Sequence, residues 1–177
     1  MPDSSNSAAL GYAEFSGLQL EHALIRNHYV GRTFIQPTQA GRDAKVKVKY
    51  NAVREVLEGK SVVMVDDSIV RGTTTRGLVA MLRSAGAREV HMRVSSPPIT
   101  GPCYYGIDTP EKEHLIAANM SIAEVGEAIG VDSLGYLTIE GMLAAVPGGP
   151  DGFCHACFSG QYPTQPPVDI KRYRSGV

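Results

Sequence analysis

Apolar positions change their period several times along this chain, and each change predicts an element. Ala8, Ala9, Tyr12 and Ala13 fall at helical spacing between Ser5 and Phe15, with Ser4 or Ser5 available as N-cap. Leu18 to Ile25 alternates weakly, which predicts a strand. From Asn27 to Ala44 no period survives, and Gly31, Pro37 and Gly41 interrupt the text. An irregular stretch of that length inside a compact domain predicts a functional loop or lid. Lys45, Lys47 and Lys49 then alternate with Val46, Val48 and Tyr50, the pattern of a half-exposed strand with a basic, solvated face.

Ser61 to Val65 (SVVMV) is a short unbroken apolar run, as in a buried parallel strand. Leu78, Val79, Met81 and Leu82 predict a helix from Thr74 to Ala85, closed by Gly86. Glu89 to Val94 returns to strand. Glu111 to Ala118 and Ser121 to Ile129 read as helices, the second with a capping box of Ser121 and Glu124. Tyr136 to Val146 ends the ordered pattern, and glycine and proline dominate from Pro147 onward. The alternation predicts an α/β fold with a mainly parallel sheet flanked by helices. It divides the chain into a domain over residues 1–146 and a surface tail over 147–177. No repeat or low-complexity block occurs.

Composition narrows the function classes. The 177 residues carry 17 basic and 18 acidic side chains, a formal net charge of −1, without the basic excess of a nucleic-acid binder. No run approaches the roughly 18 apolar residues of a membrane span, and the first residues lack the apolar core of a signal peptide. The expectation is a soluble, cytoplasmic protein without nucleic-acid or membrane partners. Three cysteines, an odd number, argue against a disulfide-stapled secreted scaffold. Two of them, Cys154 and Cys157, form a C-x-x-C. The histidines, His22, His28, His91, His114 and His155, show no metal-binding spacing.

The chemistry concentrates in Val62 to Thr75, VVMVDDSIVRGTTT. A buried strand ends in Asp66 and Asp67, and the loop after them opens directly into a helix. Ligands of open α/β sheets sit at the carboxyl ends of strands, and amides at a helix start bind phosphate. Two carboxylates would repel a phosphate, so they face sugar hydroxyls or hydrated Mg²⁺ instead. A helix cap with a solvated turn needs one acid, not two. The pattern G-x-x-x-x-G-K-[ST] of a nucleotide-binding P-loop is absent. Together these residues call for a phosphorylated sugar.

This segment resembles the phosphoribosyl pyrophosphate (PRPP) signature of type I phosphoribosyltransferases. PDSSNSAALGYA, NHYVGRTFIQPTQ, SSPPITGPCYYGIDTP and CHACFSGQYP extend the resemblance, over Pro2 to about Pro163, to the glutamine PRPP amidotransferases. It implies the type I phosphoribosyltransferase fold and a pentosyl-transferring enzyme at the first step of de novo purine biosynthesis. In such an enzyme ammonia released from glutamine displaces pyrophosphate from C1 of PRPP, giving 5-phosphoribosylamine. By this resemblance Asp66 and Asp67 hold the ribose hydroxyls and Mg²⁺. Ser68, Ile69, Val70, Arg71, Gly72, Thr73 and Thr74 surround the 5′-phosphate. Asp3, Ser4 and Ser5 form the pyrophosphate-side loop, with Ser4 at a metal-linked position. Asn27 to Gln39 forms a loop closing over PRPP, with Tyr29, Arg32 and Thr33 as contacts and Arg32 as a catalytic cation.

The resemblance also implies that Cys103, Cys154 and Cys157 match three of the four cysteines of a [4Fe–4S] cluster, the fourth lying outside this chain. Such enzymes carry a glutaminase domain before this region and assemble as homo-oligomers, so the chain reads as N-terminally truncated and unable to hydrolyse glutamine itself. Two alternatives stay open. A free-standing nucleobase phosphoribosyltransferase would share the signature but not the cysteine positions. A non-catalytic PRPP-binding remnant would keep the fold without turnover.

Overall fold

The computed structural model describes Met1, residues 3–27, Tyr29, residues 49–147 and residues 152–166. Three strands, β3 (Ser61–Asp66), β4 (Glu89–Val94) and β5 (Ser133–Tyr136), form a parallel sheet in the order β3-β4-β5. Met64 lies opposite Met92, and Met92 opposite Leu134, so alternate apolar residues line one face. On that face sits α3 (Thr73–Ser84), whose Leu78, Val79 and Leu82 are buried, beside α5 (Ile122–Ile129), which buries Val125 and Ile129. Parallel strands joined by helical crossovers explain why β3 reads as an uninterrupted apolar run.

Local signals set the helix ends. The expected capping box is formed: Ser121 Oγ accepts the Glu124 amide at 3.3 Å, and Glu124 Oε2 accepts the Ser121 amide at 2.8 Å. Gly130 closes α5 at φ +80°, a left-handed conformation glycine adopts without a Cβ clash. The first helix, α1 (Asn6–Ser16), lies where the spacing predicts it. Its N-cap, Ser5, makes no side-chain cap bond, because the hydroxyl is committed elsewhere.

Several expectations are corrected. The strand predicted over Leu18 to Ile25 shrinks to β1 (Leu24–Arg26), which pairs antiparallel with β2 (Tyr50–Ala52) in a separate ribbon. Lys45 to Val48 lie outside the described residues. The helix predicted from Glu111 to Ala118 is broken into a 3₁₀ turn, Lys112–His114, and α4 (Ile116–Asn119). Leu115 between them is extended (ψ 116°) and fully buried, and the Ile116 amide donates to the Val70 carbonyl at 2.9 Å. Burying Leu115 and tying this segment to the loop after β3 outweighs its helical propensity. Short helices α2 (Arg54–Leu57), α6 (Ile139–Ala144) and α7 (Ala156–Ser159) and strand β5 were not legible in the pattern. No helix among the described residues is long and apolar enough to cross a membrane.

Candidate functional site

At the carboxyl end of β3, Asp66 is only 4% exposed. Its Oδ1 accepts the Ser5 hydroxyl and the Asp67 amide, each at 2.9 Å. Its carbonyl accepts the Ser95 amide at 2.9 Å, which fixes the strand end against β4. Burial pushes the Asp66 carboxyl above the ordinary carboxylate value, against the two hydrogen bonds, with the Asp67 charge adding to the rise. Asp67 next to it is exposed, its Oδ1 only 3.4 Å from the Ser68 hydroxyl. The pair therefore offers one locked, dry carboxylate and one free, wet one.

Ile69, 1% exposed, anchors the loop that follows. Val70 is held through its carbonyl by Ile116, and Gly72 turns the chain at φ +73°. A Cβ on Gly72 would stand 2.8 Å from Ile116 Cδ1 and 3.2 Å from Ile129 Cγ2, so the position excludes a side chain on steric as well as conformational grounds. No side chain among the described residues caps α3, which leaves the first-turn amides beyond Thr73 and Thr74 for an anion.

The structure brings Ser5 and Asp3 to this corner but separates their roles. Ser5 is fully buried against Asp66. Asp3 is exposed and pairs with Arg26 at 2.6 Å. Ser4 is exposed, and its side chain makes no hydrogen bond among the described residues. Tyr29 is fully exposed, and among the described residues its amide donates to Asn27 Oδ1 at 3.1 Å. Arg32 and Thr33, with the rest of the expected closing loop, lie outside the described residues.

Two neighbours escaped the sequence reading. Arg26 and Tyr50 are cross-strand partners in the β1–β2 ribbon. Arg26 carries the ion pair to Asp3 while its Nε is buried without a partner among the described residues. Tyr50, 7% exposed, has its phenol pushed up by burial and, to a lesser degree, by the charges of Asp66, Asp3 and Asp67. A basic residue opposite an aromatic one in two short strands was the available signal, hidden by the long irregular stretch between them. Tyr136, at the same end of the sheet on β5, has a buried hydroxyl without a partner among the described residues, and burial lifts its phenol to about 12.

Oxygen donors dominate this corner, and a pair of carboxylates with serine hydroxyls nearby suits Mg²⁺ carried by a phosphorylated substrate. The cysteines form a different neighbourhood. The Thr100 and Gly101 amides donate to the Cys157 carbonyl at 2.9 and 3.0 Å, which lays residues 154–164 against the 100–105 loop. Tyr162 clamps the two with a bond from its hydroxyl to the Pro102 carbonyl at 2.8 Å. Cys103 and Cys157 are half-buried and Cys154 is exposed; all three are free thiols. Burial and then the nearby Cys103 push the Cys157 thiol up. No group of three metal-binding side chains is placed to hold a single ion among the described residues.

No family model matches this chain. An amidophosphoribosyltransferase of Synechococcus elongatus is 55% identical over 172 residues, covering 97% of this chain and 35% of that relative. One of Bacillus subtilis is 57% identical over 169 residues, covering 93% and 36%. A solved structure of "the allosteric regulatory enzyme of purine biosynthesis" superposes with a TM-score of 0.82 at 56% identity, over 95% of this chain and 37% of that one. Glutamine PRPP amidotransferase from B. subtilis, complexed with ADP and GMP, gives 0.81 at 57%, over 93% and 37%. The chain thus spans about a third of the length of the relatives it matches.

Proposed function

We propose that this chain, which belongs with the amidophosphoribosyltransferases over the third of their length that it spans and has the type I phosphoribosyltransferase fold, binds PRPP at Asp66 to Thr74 and passes its phosphoribosyl group to ammonia. The observation that carries this is the pairing of a dry, locked carboxylate with a free one at the start of an uncapped, glycine-turned loop. Asp66 and Asp67 receive the ribose hydroxyls and would hold Mg²⁺, which supplies charge neutralisation on the pyrophosphate. Ser68 to Thr74 cradle the 5′-phosphate through amides and hydroxyls. Asp3, Ser4 and Ser5 border the pyrophosphate side, Ser4 with its hydroxyl unbonded among the described residues. Tyr29, Arg32 and Thr33 belong to a loop closing over the substrate, where Arg32 adds a cation beside the phosphates.

In the reaction ammonia forms a bond to C1 of the ribose as the C1–O bond to pyrophosphate breaks. Pyrophosphate leaves with the electron pair, and the new ammonium loses a proton to solvent. Positive charge grows on the ring, where Asp66 and Asp67 stabilise it, and water exclusion by the loop suppresses hydrolysis. Ammonia comes from glutamine hydrolysed by a separate domain, and the working enzyme is a homo-oligomer in the cytoplasm, where free thiols persist. Residues 1–146 form the transferase domain and 147–177 its tail. A [4Fe–4S] cluster takes four thiolates; this chain supplies Cys103, Cys154 and Cys157, so a fourth ligand would come from outside it.

The test is pyrophosphate release from PRPP and Mg²⁺ with ammonium salt or with nucleobases as acceptor. Release that depends on ammonium is the expected result. Release that depends on a nucleobase would make the protein a salvage-type transferase, and binding without release under either condition would make it a non-catalytic PRPP binder.

A further inference from the structure

Seven arginines fall among the described residues, and five have partners. Arg26 pairs with Asp3, Arg54 with Glu58, Arg83 with Asp132, Arg88 with Glu89, and Arg93 donates to the Met92 carbonyl. The side chains of Arg71 and Arg76 have no ion pair or hydrogen bond among the described residues. Both line the same cavity, of about 300 Å³. Its apolar wall is Leu115, Ile116, Met120 and Ile129, and His114 and Glu113 stand with the arginines. Asn119 also lines it, but its amide is bonded to the carbonyls of Lys112, Glu113 and Leu115. None of Asp66, Asp67, Ser68, Thr73 and Thr74 reaches this space.

We infer that this cavity is a second anion site, separate from the Asp66–Asp67 corner, for a phosphate monoester with a small apolar or aromatic body. Two guanidinium groups against the single carboxylate of Glu113 leave a net positive charge, and paired guanidinium forks match the geometry of a phosphate. The volume lies at the small end of ligand pockets, with the apolar wall and few polar groups such pockets show. The site shares a wall with the loop of the proposed PRPP site. Arg71 and Gly72 border the cavity, and Ile116 both lines it and packs against Gly72. A ligand here therefore touches the back of the segment whose front receives the 5′-phosphate.

Phenyl phosphate is the probe, titrated into the whole chain while methyl NMR signals are followed. Met120 and Ile129 report on the cavity, and Ile69 reports on the loop. We expect saturable shifts at Met120 and Ile129, weakened about tenfold or more in Arg76→Ala and less in Arg76→Lys, which keeps the charge without the fork. A separate titration of PRPP with Mg²⁺ should give the same Ile69 shift in wild type and variants, so a failure of the PRPP reading would appear in that titration alone. Arg76 is exposed, and an unchanged dispersion of the unliganded spectrum verifies that each variant is folded. Absence of a saturable shift at Met120 and Ile129, equal affinity in Arg76→Ala, or an equal response to phenol would each overturn the inference.

Discussion

Asp66 and Asp67 share a peptide bond but differ in surroundings, and the difference has a thermodynamic sign. Burial raises the Asp66 carboxyl above its ordinary value, so the folded chain holds that proton more tightly than the unfolded chain does. The stability it contributes is full below the ordinary carboxylate value and is lost as pH rises through the raised one. At neutral pH an ionised Asp66 therefore costs stability. Asp66→Asn keeps an oxygen for Ser5 and the Asp67 amide but removes the charge. It should raise stability at pH 7 by about 0.5–2 kcal/mol, or roughly 2–4 °C in Tm per kcal/mol, while abolishing PRPP binding. Thermal unfolding across pH should show the gain shrinking toward pH 4. Gly72 predicts the opposite behaviour. Its φ of +73° and the 2.8 Å approach of Ile116 Cδ1 mean that Gly72→Ala should lose at least about 1–2 kcal/mol in denaturant unfolding and weaken PRPP binding. The two acids and the glycine were legible because their order after an apolar run has few other uses. That Ser5 rather than Ser4 contacts Asp66 was not, since adjacent serines differ only in where the backbone aims them.

Legibility of an element depended on whether its own residues decided its conformation. β3 stands in the sequence through its apolar run and β4 through its alternating apolar positions. α3 stands there through its apolar period and the glycine after it, and α5 through its period, capping box and closing glycine. The capping box is local in this sense, so Ser121→Ala should cost about 1 kcal/mol in thermal unfolding and leave PRPP affinity unchanged. Where tertiary contacts decide, the pattern misleads. Residues 111–118 have helical spacing, yet Leu115 leaves the helix to enter the core and frees the Ile116 amide for Val70. β5 is four residues, Ser-Leu-Gly-Tyr, with too little period to be seen alone; its register is fixed by β4. The β1–β2 ribbon joins residues separated by the irregular stretch, so no local window contains both strands.

At the scale of the whole molecule, every group assigned to PRPP among the described residues except Tyr29 hangs on β3 or on segments tied to it. α1 is approached by way of Ser5 and Asp66, and the α4 segment by way of Ile116 and Val70. The core beneath, with Leu78, Leu82, Val90 and Met92 almost fully buried, holds the strand end still. Each such side chain contributes roughly 1.5–3 kcal/mol on burial. This arrangement predicts one PRPP site with two indispensable carboxylates on a scaffold that does not need them to fold. The direct measurement is calorimetric titration of PRPP with Mg²⁺ into the wild-type chain and into a variant carrying both Asp66→Ala and Asp67→Ala. Saturable binding to one site in the wild type, and its loss in a variant with unchanged far-ultraviolet circular dichroism, is the predicted result. Equal affinity in the folded variant, or no binding by the folded wild type, would contradict the account.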